Sequence, residues 1–153
     1  MTTLLEKQKN MALVDALTGI NNRRYFDERL PTEISRSQRY NKPLSCLYIG
    51  VDHFKQFNND YGHINGNKAL KQIAQKIWQE LRATDILGRY SEEEFAVLLI
   101  ETDMISAREV AERIRRSIQK QQVEIEGRTI EITVSVGVSS SQPCREQINC
   151  PGL

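Results

Sequence analysis

Apolar positions recur along this chain with two different periods, and the switches between them lay out its elements. Between residues 23 and 40, Tyr25, Phe26, Leu30 and Ile34 fall on one side of a helix. Asn21 or Asn22 is placed to cap its start. Pro31 sits inside the pattern and predicts a kink or a split into two, because proline lacks an N–H and its ring meets the preceding turn. Leu44–Val51, after Pro43, is a short, mostly apolar run that reads as a buried strand. A compact polar stretch with Asn58, Asn59, Gly62, Asn65 and Gly66 follows. Leu70, Ile73, Ala74, Ile77, Trp78 and Leu81 then predict an amphipathic helix over 67–82, with Trp78 expected in the core rather than as a platform for a ligand.

Ile86–Tyr90 and Phe95–Ile100 are strand-like and are joined by the polar tip Ser91-Glu92-Glu93-Glu94, a predicted hairpin. Residues 104–120 read as a helix whose buried face is Ile105, Ala107, Val110, Ala111, Ile114 and Ile118. Val123–Ile125 and Ile130–Val138 alternate about the turn Glu126-Gly127-Arg128, a second hairpin. The order is helix, strand, helix, two strands, helix, two strands, which predicts an α+β domain: a sheet containing antiparallel strands, flanked by helices. Residues 1–14, with Leu4, Leu5, Met11, Leu13 and Val14 loosely on one helical face, read as an N-terminal helix or linker. The domain is expected over 15–138, and 139–153 as an irregular tail, because periodicity ends at Ser139.

Composition narrows the field. At 153 residues the chain is long enough for one core. A formal net charge of +1 gives no support for a nucleic-acid or membrane surface. No run approaches the ~20 apolar residues of a membrane span, and the first ten residues lack the apolar stretch of a signal peptide. Cys46 lies in an apolar run and is read as a small buried hydrophobe; Cys144 and Cys150 sit in the polar tail without metal-ligand spacing. Such unpaired cysteines suit a reducing, cytoplasmic setting.

Four blocks carry a resemblance. They are Asp15-Ala-Leu-Thr-Gly-Ile-Asn-Asn-Arg-Arg-Tyr-Phe26, Val51-Asp-His-Phe-Lys-Gln-Phe-Asn-Asn-Asp-Tyr-Gly-His63, Gly88-Arg-Tyr-Ser-Glu-Glu-Glu-Phe-Ala-Val-Leu-Leu99 and Ile132-Thr-Val-Ser-Val-Gly-Val138. In order and spacing they resemble GGDEF domains, the diguanylate cyclase family. The resemblance implies a nucleotidyl-cyclase or polymerase-palm fold. In the family, two GTP-loaded copies meet face to face and Mg²⁺ supports phosphoryl transfer.

Against that family the sequence departs at the catalytic positions. One metal carboxylate of the family falls at Gly50, which has no side chain; the other falls at Glu93, which is kept, with Glu94 beside it as a vestigial catalytic residue. Asp52 corresponds to a family aspartate with a place of its own and is not expected to substitute. The first two turn positions, usually glycine, are Ser91 and Glu92, and Glu92 brings bulk and negative charge toward a triphosphate. Lys55 corresponds to a phosphate-side lysine and Asn58 to a guanine reader. Asn67 replaces a second, aspartate reader, and an amide offers one accepting oxygen where a carboxylate accepts from both guanine N–H groups. GTP binding is therefore expected to be weak or lost. The family's C-terminal helix and strand, with their basic phosphate contacts, find no counterpart in the pattern of 139–153.

Arg82-Ala-Thr-Asp85 matches the family's RxxD inhibitory motif, and Arg113 falls where a second arginine is often supplied. The resemblance implies that these three bind cyclic di-GMP, the arginines on phosphate or guanine and Asp85 on guanine N–H groups. Taken together, the expectation is a catalytically degenerate GGDEF domain with cyclic di-GMP as its ligand, no required cofactor, and a homodimer or a signalling protein as its partner. Mg²⁺ is needed only for a residual cyclase. Two other readings stay open: an active diguanylate cyclase that tolerates the altered turn, and an interaction module that binds no nucleotide.

Overall fold

A computed structural model describes residues 13–141. Its elements in chain order are β1 (Asn21–Asn22), α1 (Arg23–Tyr40), β2 (Leu44–Val51), α2 (Phe54–Tyr61), α3 (His63–Gln79), β3 (Ile86–Ser91), β4 (Glu94–Ile100), α4 (Met104–Gln121), β5 (Val123–Ile125), β6 (Arg128–Ile130) and β7 (Val134–Ser141). The main sheet has the order β1-β3-β4-β2-β7, and β5 and β6 form a separate two-stranded sheet. β2 lies between β4 and β7, antiparallel to both, while β1 runs parallel to β3. This is the expected α+β architecture.

Strand alternation divides the core. Leu47, Ile49 and Val51 of β2 and Phe95, Val97 and Leu99 of β4 point to one face, where α3 and α4 cover them with Leu70, Ile73, Ile77, Ile114 and Ile118. Ala96 and Leu98 point to the other face and meet Phe26 of α1, with Leu30, Cys46, Ile86, Tyr90 and Ile100 around them. Cys46 is thus half-buried beside this smaller cluster, and burial pushes its thiol up to about 11.

Several expectations change in the structure. α1 runs unbroken through Pro31, which stands on the exposed side of the helix, away from the core packing. The polar stretch after β2 contains α2, because Phe54 and Phe57 bury one face of a single short helix. Gly62, at φ +87°, breaks it from α3, which begins at His63 and ends at Gln79 rather than running over 67–82. Trp78 is 54% exposed, not core; it lies one residue round the helix from the buried Ile77, at the edge of the apolar stripe. Ile105, in the first turn of α4, is likewise 72% exposed.

The hairpin tip shrinks to Glu92-Glu93, because Ser91 and Glu94 pair with each other. The run Ile130–Val138 is split: Ile130 ends β6 in the small sheet, and β7 joins the main sheet from Val134. β7 also continues past the expected end at Val138, with Ser139, Ser140 and Ser141 opposite Cys46, Ser45 and Leu44. A ladder of main-chain hydrogen bonds needs no apolar side chain, so serines extend a strand without showing a period. Residues 1–12 and 142–153, with Cys144, Cys150 and the tail expectations, lie outside the described residues.

Candidate functional site

The β3–β4 turn is set by Arg89. Its Nη2 donates to the carbonyl of Glu92 at 2.8 Å, and its Nη1 meets Asp15 Oδ1 and Oδ2 at 3.2 and 3.3 Å. Asp15 in turn accepts from the Thr18 N–H at 2.9 Å and the Thr18 hydroxyl at 2.6 Å, closing the loop Asp15-Ala-Leu-Thr-Gly-Ile. Burial alone would raise the Asp15 pKa; the Thr18 donors and the Arg89 charge outweigh it and hold the carboxyl below its ordinary value. The first and third sequence blocks are therefore one structural unit, a link that spacing along the chain does not reveal.

Around this turn the carboxylates are unequally free. Glu93 is half-buried, and its main-chain carbonyl accepts from Val51 N–H at 3.0 Å. Glu94 accepts from the Ser91 hydroxyl at 2.5 Å and from the Tyr48 hydroxyl. Those two hydrogen bonds lower the Glu94 pKa, and the carboxylate pushes the Tyr48 phenol up to about 12. Tyr48 also packs edge-on against Tyr90, over whose ring Arg23 lies at 4.1 Å. Gly50 stands opposite Glu94 in the ladder, and a Cβ built there would meet nothing within 4 Å. Asp52 has both oxygens engaged, by Thr133 Oγ1 at 2.7 Å and Ser135 Oγ at 2.6 Å, and so pins the end of β2 to β7.

The nucleotide candidates sit on α2 and α3. Lys55 and Asn67 are exposed, and Asn58 is half-buried near the turn at Gly62. The Asn58 Oδ1 is buried without a hydrogen-bond partner and lies against Gly66, where a Cβ would approach it to 1.8 Å.

A second cluster forms where α3 ends. Asp85 is almost wholly buried and accepts from the Arg82 main-chain N–H at 2.8 Å, from its Nε at 3.3 Å and from its Nη2 at 3.0 Å. Arg82 Nη2 reaches the Ile100 carbonyl and Thr102 Oγ1, both at 2.8 Å, tying the α3–β3 corner to the end of β4. The hydrogen bonds that Arg82 donates to Asp85 raise the Arg82 pKa further. Arg113 of α4 donates from Nε to Glu80 Oε2 at 2.8 Å and from Nη2 to the Glu80 carbonyl at 3.1 Å. Glu80 lies two residues before Arg82, so this contact brings all three residues of the second site to one corner. No partner is found for Nη1 of Arg82 or of Arg113 among the described residues.

Comparison with known proteins decides the family. Residues 12–149 match the family described as diguanylate cyclase, GGDEF domain. The chain belongs to the GGDEF family. Diguanylate cyclase DgcP of Pseudomonas aeruginosa is 39% identical over 136 residues, covering 89% of this chain and 20% of its own length. Response regulator PleD of Caulobacter vibrioides is 34% identical over 139 residues, covering 90% of this chain and 31% of its own. This GGDEF domain thus spans between a fifth and a third of those relatives. Among solved structures, diguanylate cyclase SiaD of Pseudomonas aeruginosa, in complex with its activator SiaC, is 38% identical with a TM-score of 0.80, covering 89% of this chain and 54% of that one. The GGDEF domain of DgcB from Caulobacter crescentus, in complex with c-di-GMP, is 26% identical with a TM-score of 0.81, over 86% of this chain and 79% of that one.

Mg²⁺ binding by two carboxylates does not fit the residues as they are arranged. Position 50 supplies no ligand, and Asp52 and Glu94 are engaged by hydroxyls, which leaves Glu93 alone. Among the described residues, no three His, Cys, Asp or Glu side chains are gathered for a metal ion. No helix among them is long and apolar enough to cross a membrane. The residues that sequence reasoning missed are Glu80, Tyr48 and the Asp15–Arg89 pair. Glu80 carries no motif, and its only signal is that it precedes Arg82 by two.

Proposed function

We propose that this GGDEF domain works in cyclic di-GMP signalling as a receptor that has lost cyclase chemistry. The observation that carries the reading is that Arg113 contacts Glu80, two residues before Arg82, at the end of α3, with Nη1 of both arginines uncommitted among the described residues. Two guanidinium groups at one corner suit a ligand with two phosphodiester charges and guanine acceptor edges, such as cyclic di-GMP. Asp85 is too buried to act as a first contact, so its part is to hold Arg82 in place. The solitary Glu93, facing a sequence with Glu92 at the turn, supports the loss of catalysis. Lys55, Asn58 and Asn67 are left as a weak GTP site.

Calorimetric titration with cyclic di-GMP, beside GTP, tests the reading. Micromolar or tighter binding of cyclic di-GMP that Arg82→Ala abolishes is expected. Undetectable binding by the intact protein would remove the receptor role, and a stable complex in a pulldown would then favour a nucleotide-independent module. A second reading, an active cyclase, draws support from the names of DgcP and SiaD. Incubation with GTP and Mg²⁺ separates the two: formation of cyclic di-GMP would establish the enzyme.

A further inference from the structure

Each arginine at the α3 corner has the same edge of its guanidinium occupied. In Arg82 the Nε and Nη2 nitrogens face Asp85, and in Arg113 they face the Oε2 and main-chain oxygen of Glu80. The Nε–Nη2 edge is one of the two on which a guanidinium grips a phosphate with parallel hydrogen bonds. The two occupants differ in how firmly they sit. The Asp85 side chain is 3% exposed and takes a third hydrogen bond from the main chain, so it belongs to the fold. The Glu80 side chain is 24% exposed and meets an Arg113 side chain that is 54% exposed. A partly exposed ion pair of this kind is held less firmly than the buried Asp85 contact and is the more displaceable of the two.

The groove around Arg113 contains further charged groups, some paired and some not. Glu112, beside it on α4, is taken by Arg115 at 2.6 Å and Arg116 at 3.1 Å, and those contacts pull its pKa down to about 2. Arg108 and Lys120 line the same groove with no ion pair among the described residues. Glu109 also lines the groove, with no ion pair among the described residues, so an anion there meets several cations and one further carboxylate; the carboxylate standing on the Arg113 gripping edge is Glu80.

We infer that Glu80 is a built-in competitor at this corner: its carboxylate occupies Arg113 Nε, and a phosphodiester group of the incoming dinucleotide must displace it. The inference rests on the receptor reading above and adds the residue that sets its affinity. Glu80 touches the ligand's partner rather than shaping the fold, because its main-chain carbonyl keeps the second contact whatever the side chain is. Removing the charge then loosens the hold on Arg113 Nε, with Nη2 still on the Glu80 carbonyl, and removes a like charge from beside the phosphate.

The test is calorimetric titration of cyclic di-GMP into the full chain, Glu80→Gln, Arg113→Ala and the double variant, with urea unfolding of each. Glu80→Gln is expected to bind about three- to tenfold more tightly, the range expected when one screened like charge is removed. Its unfolding midpoint should be unchanged. In the Arg113→Ala background the gain should vanish, since competitor and target act as one unit. Equal or weaker binding by Glu80→Gln beside a binding parent would overturn the competitor and leave the site standing. A gain that survives Arg113→Ala would overturn it as well. Absence of binding in both proteins would overturn the receptor reading and the competitor with it.

Discussion

Arg89 and Asp15, 74 positions apart in sequence, meet through paired contacts of 3.2 and 3.3 Å with both side chains mostly buried. Arg89→Ala leaves a half-buried carboxylate without its cation, and a loss of about 2 kcal/mol in urea unfolding is expected. Asp15→Asn should cost a similar amount. The Asp15 pKa is lowered in the folded state, so its stabilisation is complete above the ordinary value of 3.8 and is lost as pH falls through the lower folded value. The acid limb of stability against pH should therefore flatten in Asp15→Asn, and an unchanged acid limb would show that other carboxylates govern it.

The open space at Gly50 makes a substitution there structurally cheap. Gly50→Asp should fold with stability within about 1 kcal/mol of the parent, since no atom crowds the new Cβ and only strand preference opposes it. Glu92 still repels a triphosphate, so Gly50→Asp alone should leave GTP binding weak. Gly50→Asp with Glu92→Gly, in Mg²⁺, should raise GTP affinity about tenfold. Titration of the two variants with GTP, with and without Mg²⁺, reads the difference.

At Gly66 two effects oppose each other. Alanine in the first turns of α3 is worth up to about 1 kcal/mol over glycine, while its Cβ would sit 1.8 Å from Asn58 Oδ1 and 3.3 Å from the Phe54 ring. The Asn58 amide is the end of a rotatable side chain and moves before the backbone does. Net stability should therefore change by less than about 1 kcal/mol. What is lost is the placement of Asn58, so any measurable GTP affinity should fall in Gly66→Ala while its unfolding curve stays close to the parent's.

The β5–β6 hairpin is held to α3 by side chain rather than by strand pairing. Gln72 donates to the Glu124 carbonyl and accepts from its N–H, both at 2.8 Å, and Lys76 donates to the Gln122 carbonyl. Gln72→Ala should cost about 1–2 kcal/mol and leave Glu124 with only water for partners. Hydrogen exchange should quicken across residues 123–130 and stay unchanged in β2 and β4.

Which parts were legible in the sequence follows from what each signal measures. Periodicity located the three long helices and the strands β2, β3 and β4, because burial of one face is what it records, and it missed α2, whose buried face rests on Phe54 and Phe57 alone. It misplaced Trp78 and Ile105, since a stripe has edges and a residue 100° round the helix from the core can face water. It overlooked Ser139–Ser141, where pairing is made by main chain. At the sites, the third block brought forward Glu93, and the RxxD motif and its companion position brought forward Arg82, Asp85 and Arg113, but no pattern reports which carboxylate a given arginine meets. The engagement of Asp52 by Thr133 and Ser135, and of Arg113 by Glu80, depends on neighbours supplied by other elements.

Arg89 grips the turn by the carbonyl of Glu92, an atom that every amino acid carries. The bend between β3 and β4 is thus insensitive to which side chains occupy it. A substitution at position 92 therefore leaves the hairpin's shape in place, so the side chain offered at the tip and the scaffold beneath it can change independently.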